Sequence, residues 1–327
     1  RVVSVVLTTY NRPKLLFRAL ESVKDQTFQP KEIIIVDDSS NENATDFIKK
    51  RLSDDIIYIR HERNLGLAAA RNTGLRHSKG DFIAYLDDDD IWMPTRLESQ
   101  VEHWESLPIE KRKQLGCIQV GAELVDTNGN RLKIYLPKNH GNLKECIISD
   151  GAATISSCFL FVKKALLSVN GFDEDLISGI DDDVWMSLAE AGYSNEVIPK
   201  PLVRIIRDDR HNMMGDTNRR VAGLDQYVNK WLPVYKDWFG EIGGQKYGRR
   251  YFNSVISTLI SQKIASKQYA DGLSAFKAVF IKTGLQHPID LTYAIYLIIK
   301  RWFGLRFPRS RKTIVAFLRA QPFSSIK

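Results

Sequence analysis

Four short apolar runs alternate with helical patterns over the first ninety residues of the chain. The runs are Val2–Leu7, Glu32–Val36, Ile56–Arg60 and Asp81–Leu86. After the first run, Pro13 suits the first turn of a helix, and leucines and alanines follow it at helical spacing. Continuous β-branched runs indicate strands that are buried on both faces, and their alternation with helices implies right-handed crossovers. The pattern predicts an α/β fold with a Rossmann-like, doubly wound and mostly parallel sheet.

The next part of the chain is less regular. An apolar segment, Cys117–Asp126, is followed by Asn128 and Gly129, a pair that strongly favours a β-hairpin. Cys158–Val162 then reads as a strand and Lys163–Val169 as a helix.

Beyond residue 238 the pattern becomes helical. One amphipathic helix is predicted from the apolar side chains of Phe252, Val255, Ile256, Leu259, Ile260 and Ile264. A second helix is predicted to pack against it through Tyr269, Leu273, Phe276 and Phe280. We expect these residues to form the core of a helix pair and not a cofactor site.

Polar side chains follow three of the predicted strands. They are Thr8–Tyr10, Asp37 with Asp38, and Asp87–Asp90. Because the carboxyl ends of parallel strands share one edge of the sheet, we expect these side chains to line one ligand-binding rim. The loop after the first strand has neither the GxGxxG nor the GxxxxGK[ST] pattern, so it is neither a dinucleotide fingerprint nor a P-loop.

The run Asp87–Asp90 places four carboxylates at the end of a buried strand. Such groups repel one another, and burying them is costly unless a positive charge lies among them. Oxygen ligands on a short loop suit Mg²⁺ or Mn²⁺, which takes further oxygens from a substrate phosphate. The alternative is a solvated acidic turn that caps the next helix.

Four segments together resemble the motifs of inverting, bacterial-type family 2 glycosyltransferases of the GT-A fold. They are Val5–Arg12, Ile35–Ser40, Asn64–Gly74 and Tyr85–Pro94, and they occur in the family's order. The resemblance implies an enzyme that moves a sugar from a nucleotide-sugar, in the first place a UDP-sugar, to a hydroxyl of a glycan or of a lipid-linked acceptor. A non-catalytic nucleotide-sugar-binding module and a sugar nucleotidyltransferase are the alternatives.

The resemblance also implies which residues bind the donor. Thr8, Tyr10 and Asp38 would hold the base and ribose, and Arg12 lies in the same first loop. An aromatic ring can stack on a base, and a carboxylate can accept a hydrogen bond from it. For Asp38 and its neighbour Asp37 we expect one nucleotide contact and one helix cap between them. Arg71 would reach the rim aspartates or the diphosphate, with a purely structural ion pair as the alternative.

Within the acidic run, the family's Asp-x-Asp pattern maps onto Asp87 and Asp89 as the metal ligands, with Mn²⁺ or Mg²⁺ as the cofactor. Asp87 and Asp88 would also face the nucleotide-sugar, and Asp90 would cap the helix that begins near Pro94. His211, in a segment where related enzymes carry a lid, is a further candidate metal or phosphate ligand.

A fifth segment, Gly171–Trp185, resembles the family's GFDE motif and the later motif that carries the catalytic base. The match assigns the base to Asp181, which would remove the proton of the acceptor hydroxyl. Ile180 stands where the family has Glu, so the register is open by one residue and Asp182 is the second candidate. Helix N-capping is the alternative role for both.

The resemblance divides the chain into three parts. Residues 1–115 would be the nucleotide-sugar-binding half and residues 116–238 the acceptor-binding half of one GT-A domain. Residues 239–327 would be a basic helical C-terminal extension.

Charge and cysteine content change the picture of the C-terminal part. The net charge of the 327 residues is +8, but residues 241–327 alone carry 15 Lys and Arg against 3 Asp and Glu. This basic, aromatic-rich tail predicts peripheral contact with an anionic membrane surface, with a protein interface or a solvated surface as alternatives. No nucleic-acid-binding motif accompanies the charge.

Three cysteines without metal-ligand spacing favour a reducing compartment. No uncharged apolar run approaches the roughly 20 residues of a spanning helix. We therefore expect a cytoplasmic protein at the inner face of the membrane.

Overall fold

The structure is a computed structural model that describes residues 1–150, 155–207, 216–265 and 267–283, together with residues 295 and 298. The chain forms two compact units, Arg1–Gly215 and Asp216–Lys327.

The first unit contains ten strands and eight helices among its described residues. The strands are β1 (Val3–Thr9), β2 (Glu32–Asp37), β3 (Ile56–Arg60), β4 (Phe82–Asp87), β5 (Asp90–Trp92), β6 (Leu115–Asp126), β7 (Arg131–Tyr135), β8 (Gly141–Asn142), β9 (Phe159–Val162) and β10 (Ser194–Arg207). The helices are α1 (Pro13–Lys24), α2 (Glu42–Lys49), α3 (Leu67–His77), α4 (Arg96–Ser106), α5 (Ile109–Lys113), α6 (Leu143–Asp150), α7 (Lys163–Ser168) and α8 (Ile180–Glu190). A short 3₁₀ turn, Ser156–Cys158, precedes β9.

The strands form one sheet in the order β3-β2-β1-β4-β9-β6-β10-β5, and β7 and β8 pair at its side with β6 and β10. Strands β3, β2, β1 and β4 run parallel, as do β6 and β10. Strand β9 is antiparallel to both of its neighbours, β4 and β6. The predicted α/β class with a doubly wound, mostly parallel sheet is therefore confirmed.

The centre of the sheet is buried on both faces. All seven residues of β1 are buried, and α1 covers one side with Leu16, Ala19, Leu20 and Val23. On α3, Gly74 allows close packing against β1, because a Cβ atom there would lie 2.3 Å from Val6 Cγ1. The parallel ladders of β1 with β2 and with β4 set the register of their carboxyl ends.

Several local predictions are confirmed. Helix α1 begins at Pro13, the apolar segment Cys117–Asp126 lies in β6, and Asn128 and Gly129 form the turn to β7. Strand β9 and helix α7 also occupy the predicted positions.

The second unit is helical in its described part. Helix α9 (Thr217–Ala265) is interrupted at Gly240, whose φ of 75° is not helical, and α10 (Tyr269–Thr283) packs against it. Phe252, Ile256 and Ile260 are buried in the helix pair, as the sequence predicts.

The face that α10 turns towards α9 differs from the prediction. Tyr269, Leu273 and Phe280 are 63%, 57% and 43% exposed, so the prediction that they form the contact is wrong, whereas Phe276 is half-buried. The buried residues include Ala275 and Val279, and with Gly272 they form a stripe of small side chains at helical spacing. Small side chains at these positions let the two helix backbones approach closely.

The boundary between the compact units follows Gly215, whereas the sequence places the start of the helical extension at residue 239. Residue 239 lies within α9, next to the interruption at Gly240. The division into residues 1–115, 116–238 and 239–327 by function stays a prediction. Within the described ranges, no helix combines the length and the apolar character needed to span a bilayer.

Candidate active site

The polar segments predicted to share a rim do so. In the parallel register, Thr8 lies beside Val36 on one side and Asp87 on the other, and Thr9 lies beside Asp37. The ends of β1, β2 and β4 therefore meet at one edge, where the loops that follow them can contact one ligand.

The acidic run after β4 separates into two kinds of side chain. Asp87 and Asp89 are 30% and 34% exposed, whereas Asp88 is fully buried and Asp90 is 5% exposed. Asp88 and Asp89 form the turn between β4 and β5, and this turn carries the successive side chains alternately outward and inward. Two carboxylates therefore face outward and two face the protein.

Arg12 neutralises part of this charge. Its Nη2 lies 2.6 Å from Asp88 Oδ1, and its Nη1 donates to Asp89 Oδ2 at 3.1 Å. Thr9 Oγ1 donates to the other oxygen of Asp88 at 2.8 Å. Burial raises the pKa of Asp88 to about 7 despite the neighbouring guanidinium. Burial lowers the pKa of Arg12, but Asp88 and Asp89 outweigh it and the net shift is upward.

The predicted role of Asp90 as a helix cap is wrong. Asp90 begins β5, a short strand that the sequence analysis did not predict, and α4 starts only at Arg96 with Thr95 as its N-cap residue. The Asp90 carboxylate instead accepts a hydrogen bond from Ser157 Oγ at 2.6 Å.

Arg71 joins the two acidic segments of the protein. It is fully buried, its Nη2 donates to Asp87 Oδ1 at 2.8 Å, and its Nη1 donates to Asp181 Oδ1. Its guanidinium also lies 5.8 Å and 5.3 Å from the ring centroids of Tyr85 and Phe172. Burial lowers the pKa of Arg71, but the two carboxylates outweigh this and raise it, so the group stays charged. Arg71 therefore contacts a rim aspartate, as the resemblance implies, and its part in binding the donor stays a prediction.

Asp181 and Asp182 lie in the first turn of α8 and are half-buried. Oδ1 of Asp181 accepts hydrogen bonds from Arg71 and from Ser156 Oγ. Among the described residues, Asp181 Oδ2 has no hydrogen-bond partner. The structure thus brings Asp181 to the rim with one oxygen held and the other available.

A segment that resembles the GFDE motif is fixed to α3. The side chain of Asn72 donates to the carbonyl of Phe172 at 2.7 Å and accepts from its amide at 2.9 Å. Gly171 has a φ of 71°, and a Cβ there would lie 2.4 Å from Asn72 Oδ1. Only glycine fits this position. The contacts with Asn72 therefore fix residues 171–174 against α3.

The two aspartates after β2 are both bonded within the protein. Asp37 is fully buried and accepts from Ser40 N at 2.8 Å and from Tyr58 Oη at 2.5 Å. Asp38 accepts from Leu65 N and Gly66 N, each at 2.8 Å. The N-cap residue of α2 is Asn41, whose side chain accepts from Ala44 N at 3.0 Å, so the expected helix cap at Asp37 or Asp38 is wrong. The nucleotide contact of Asp38 stays a prediction.

The remaining donor residues lie at the same edge. Thr8 is 6% exposed, and Tyr10 is 46% exposed at the start of the loop after β1. The next residue, Asn11, has a φ of 56° and links this loop to the loop after β2, since its backbone N–H donates to Ser40 Oγ at 2.8 Å. An exposed aromatic ring at this place is compatible with base stacking, which stays a prediction.

The residues proposed to bind a metal fit it in part. Asp87 and Asp89 offer half-exposed carboxylates, and Asp87 Oδ2 has no partner among the described residues. No group of three or more His, Cys, Asp or Glu side chains within the described ranges is arranged around a metal position. His211 lies outside the described residues. Two protein ligands suit Mg²⁺ or Mn²⁺ when a diphosphate supplies the other oxygens.

Sequence reasoning missed three residues of this region. Ser156 contacts Asp181, Ser157 contacts Asp90, and His61 contacts Asp38. Each pair is separated by at least 23 residues, so no local pattern signals them. The sequence offers only one weak sign of such contacts, namely a polar residue next to a predicted strand.

Comparison with known proteins identifies related sequences. The profile of Glycosyl transferase family 2 matches residues 4–157. An uncharacterized glycosyltransferase of Methanocaldococcus jannaschii is 33% identical over 219 residues, which cover 65% of this chain and 73% of that protein. The Escherichia coli protein WfaP, a UDP-Glc:α-D-GlcNAc-diphosphoundecaprenol β-1,3-glucosyltransferase, is 38% identical over 105 residues, 32% of this chain and 42% of its own length.

Solved structures share the fold at lower identity. Staphylococcus aureus TarS 1–349 in complex with UDP-GlcNAc has a TM-score of 0.57 and 17% identity, over 99% of this chain and 93% of that one. The mannosyltransferase PcManGT of Pyrobaculum calidifontis, in complex with GDP-Man and Mn²⁺, has a TM-score of 0.54 and 18% identity, over 92% of this chain and 87% of that one. With the profile match and the archaeal relative, these likenesses confirm the resemblance: the chain belongs to glycosyltransferase family 2, has its GT-A fold and is a glycosyltransferase.

Proposed function

We propose that this glycosyltransferase is inverting and metal-dependent, and that it transfers a sugar from a UDP-sugar to a hydroxyl of a glycan or lipid-linked acceptor. The observation that carries the proposal is the position of Arg71. One buried guanidinium bonds both Asp87, at the proposed metal and donor site, and Asp181, the proposed base. The two acidic segments therefore meet at one place, as a single displacement reaction requires.

The environment of Asp181 favours it over Asp182 as the base. Arg71 and Ser156 hold Oδ1, which fixes the orientation of the carboxylate, and Oδ2 has no partner among the described residues. In the reaction, the acceptor oxygen forms a bond to the anomeric carbon as the bond from that carbon to the diphosphate breaks. The acceptor proton moves to the carboxylate, and the nucleoside diphosphate leaves with the bonding electrons.

The half-exposed carboxylates of Asp87 and Asp89 would hold Mn²⁺ or Mg²⁺, together with oxygens of the donor diphosphate. A bound divalent ion would neutralise the charge that develops on the leaving diphosphate. Arg12 limits the repulsion within the acidic run, because it pairs with both Asp88 and Asp89. The Mn²⁺-bound mannosyltransferase of the same fold supports the use of a divalent ion.

Donor and acceptor classes are proposed on the same basis. Thr8, Tyr10 and Asp38 would bind the base and ribose at the rim. The name of WfaP, with its UDP-sugar donor and lipid-diphosphate acceptor, supports a similar pair for this chain. The net basic charge of residues 241–327 would place such an acceptor near an anionic membrane, with the protein at its cytoplasmic face.

A nucleotide panel tests the proposal. The melting temperature of the full chain should rise with UDP in the presence of Mn²⁺, and less with UDP alone, because a ligand that binds only the folded state stabilises it. If neither UDP nor GDP with Mn²⁺ raised the melting temperature, the donor site would be assigned wrongly. Retention of full transfer activity by both Asp181→Asn and Asp182→Asn would exclude the proposed base.

A further inference from the structure

A buried histidine lies behind the predicted nucleotide site. His61 follows β3 directly and is 8% exposed. Its Nδ1 lies 2.8 Å from Asp38 Oδ1, and its Nε2 lies 3.0 Å from Thr73 Oγ1 on α3. One imidazole therefore connects the residue after β2 to the second turn of α3.

The hydrogen-bond partners of Asp38 define what His61 does there. Oδ1 accepts from Leu65 N and Oδ2 from Gly66 N, each at 2.8 Å. Because Oδ1 also faces Nδ1, that nitrogen carries the hydrogen and donates it. Three N–H groups thus fix both oxygens of one carboxylate. A carboxylate offers about four acceptor positions, so one remains for a ligand.

The loop held by Asp38 also sets the position of α3. Gly66, with a φ of 92°, is the N-cap residue of that helix, and Arg71 follows just over one turn later. Arg71 is the residue that bonds Asp87 and Asp181. A shift of the loop would therefore move both the predicted base-binding carboxylate and the guanidinium between the acidic segments.

Burial of a polar imidazole is costly unless both of its nitrogens are paired, and here both are. A fully satisfied polar network of this kind makes a site rigid. We propose that His61 is a positioning residue of the nucleotide site, which holds Asp38 and the loop 61–66 in the arrangement that binds the uridine diphosphate part of the donor. This inference rests on the proposed function.

Two substitutions separate positioning from general stability. The amide nitrogen of His61→Asn lies where Nδ1 lies and can still donate to Asp38. The longer His61→Gln places its amide where Nε2 lies, so it keeps the contact with Thr73 and loses the one with Asp38. Each variant loses one hydrogen bond of a buried imidazole, so both should lower the melting temperature similarly.

The affinity of the full chain for UDP with Mn²⁺, measured by calorimetry, should separate the two variants. We expect His61→Gln to bind UDP about tenfold more weakly, since a misplaced buried carboxylate loses about one hydrogen bond to the ligand. His61→Asn should retain most of the affinity. His77→Gln is the control, because the one hydrogen bond of His77 within the described part of the chain joins its Nδ1 to the carbonyl of Thr73, at 2.8 Å on its own helix.

The outcomes are distinct. If both His61 variants bound UDP as the native chain does, or both lost affinity in proportion to their melting temperatures, the inference would be overturned while the proposed function stood. If the native chain bound neither UDP nor GDP, the proposed function would fail and the inference with it.

Discussion

The two acidic segments contain the same residue type on different backbones. Asp87–Asp90 leaves a β-strand, and its side chains alternate between half-exposed and buried. Asp181–Asp183 begins a helix, where Asp181 and Asp182 are half-buried and only Asp183 is fully so. The local backbone conformation, more than the residue type, decides which carboxylates can meet a substrate.

Arg71 connects the two segments and makes the comparison testable. It bonds the first residue of the strand-end segment and the first aspartate of the helix. If the assignments are right, substitutions of the outward-facing carboxylates should change catalysis or metal use, and substitutions of the inward-facing ones should change stability.

The largest effect is expected for Asp181→Asn. The amide oxygen can still accept from Arg71 and Ser156, so the geometry should persist, but the side chain can no longer take a proton. We expect kcat to fall by about a thousandfold, the range of general-base catalysis, with little change in UDP affinity. Initial rates and calorimetry measure the two. A comparable loss in Asp182→Asn, with Asp181→Asn active, would reverse the assignment.

Arg71→Lys should have the next largest effect. A single ammonium cannot replace the planar fork that reaches both carboxylates. We expect kcat/KM to fall by about a hundredfold, as for the loss of one preorganised donor, and the melting temperature to fall as well. Arg76→Lys, one turn later on α3 and 60% exposed, is the control. If the two variants had the same kcat/KM, Arg71 would have no role in catalysis.

Asp89→Asn should act through the metal. Substitution of a residue that only hydrogen-bonds to a metal ligand typically lowers metal affinity about tenfold. For a ligand itself, we expect the Mn²⁺ concentration that gives half-maximal activity to rise at least about tenfold. This concentration is measured by titrating the transfer activity with Mn²⁺. An unchanged requirement would remove Asp89 from the metal site and leave Asp87 as the ligand to test.

The smallest effect is expected for Asp90→Asn. Its carboxylate accepts from Ser157 Oγ at 2.6 Å, so the loss of charge should lower the free energy of unfolding by about 1 kcal/mol. Denaturant unfolding measures this, and Ser157→Ala should show a similar loss. The Mn²⁺ requirement should not move; a shift in it would contradict the division into outward-facing and inward-facing residues.

Much of the fold and of the rim was predictable from sequence. The buried strands are continuous apolar runs, and the rule that parallel strands present their carboxyl ends at one edge places Thr8 and Asp87 side by side. A buried arginine needs partners, and the family resemblance implied that Arg71 finds them among the rim aspartates or the diphosphate.

Other features depend on contacts that no local pattern reveals. Asp90 was assigned to the next helix because β5, with three residues, is too short to show a period. The contact face of α10 was assigned to its largest apolar side chains, although close approach favours small ones. His61 pairs with Asp38 across 23 residues, and Ser156 pairs with Asp181 across 25.

Strand β9 has a consequence for constructing chimaeras of related enzymes. It runs opposite to β4, so the chain enters β9 at the rim where its neighbours leave it. Ser156 and Ser157 therefore precede their strand, whereas the aspartates follow theirs. An exchange of loops that kept only the segments after each strand would leave these two serines behind. A boundary within α7, beyond Val162, would transfer Ser157 together with Asp90, whereas Ser156 and Asp181 stay together only if the boundary follows α8.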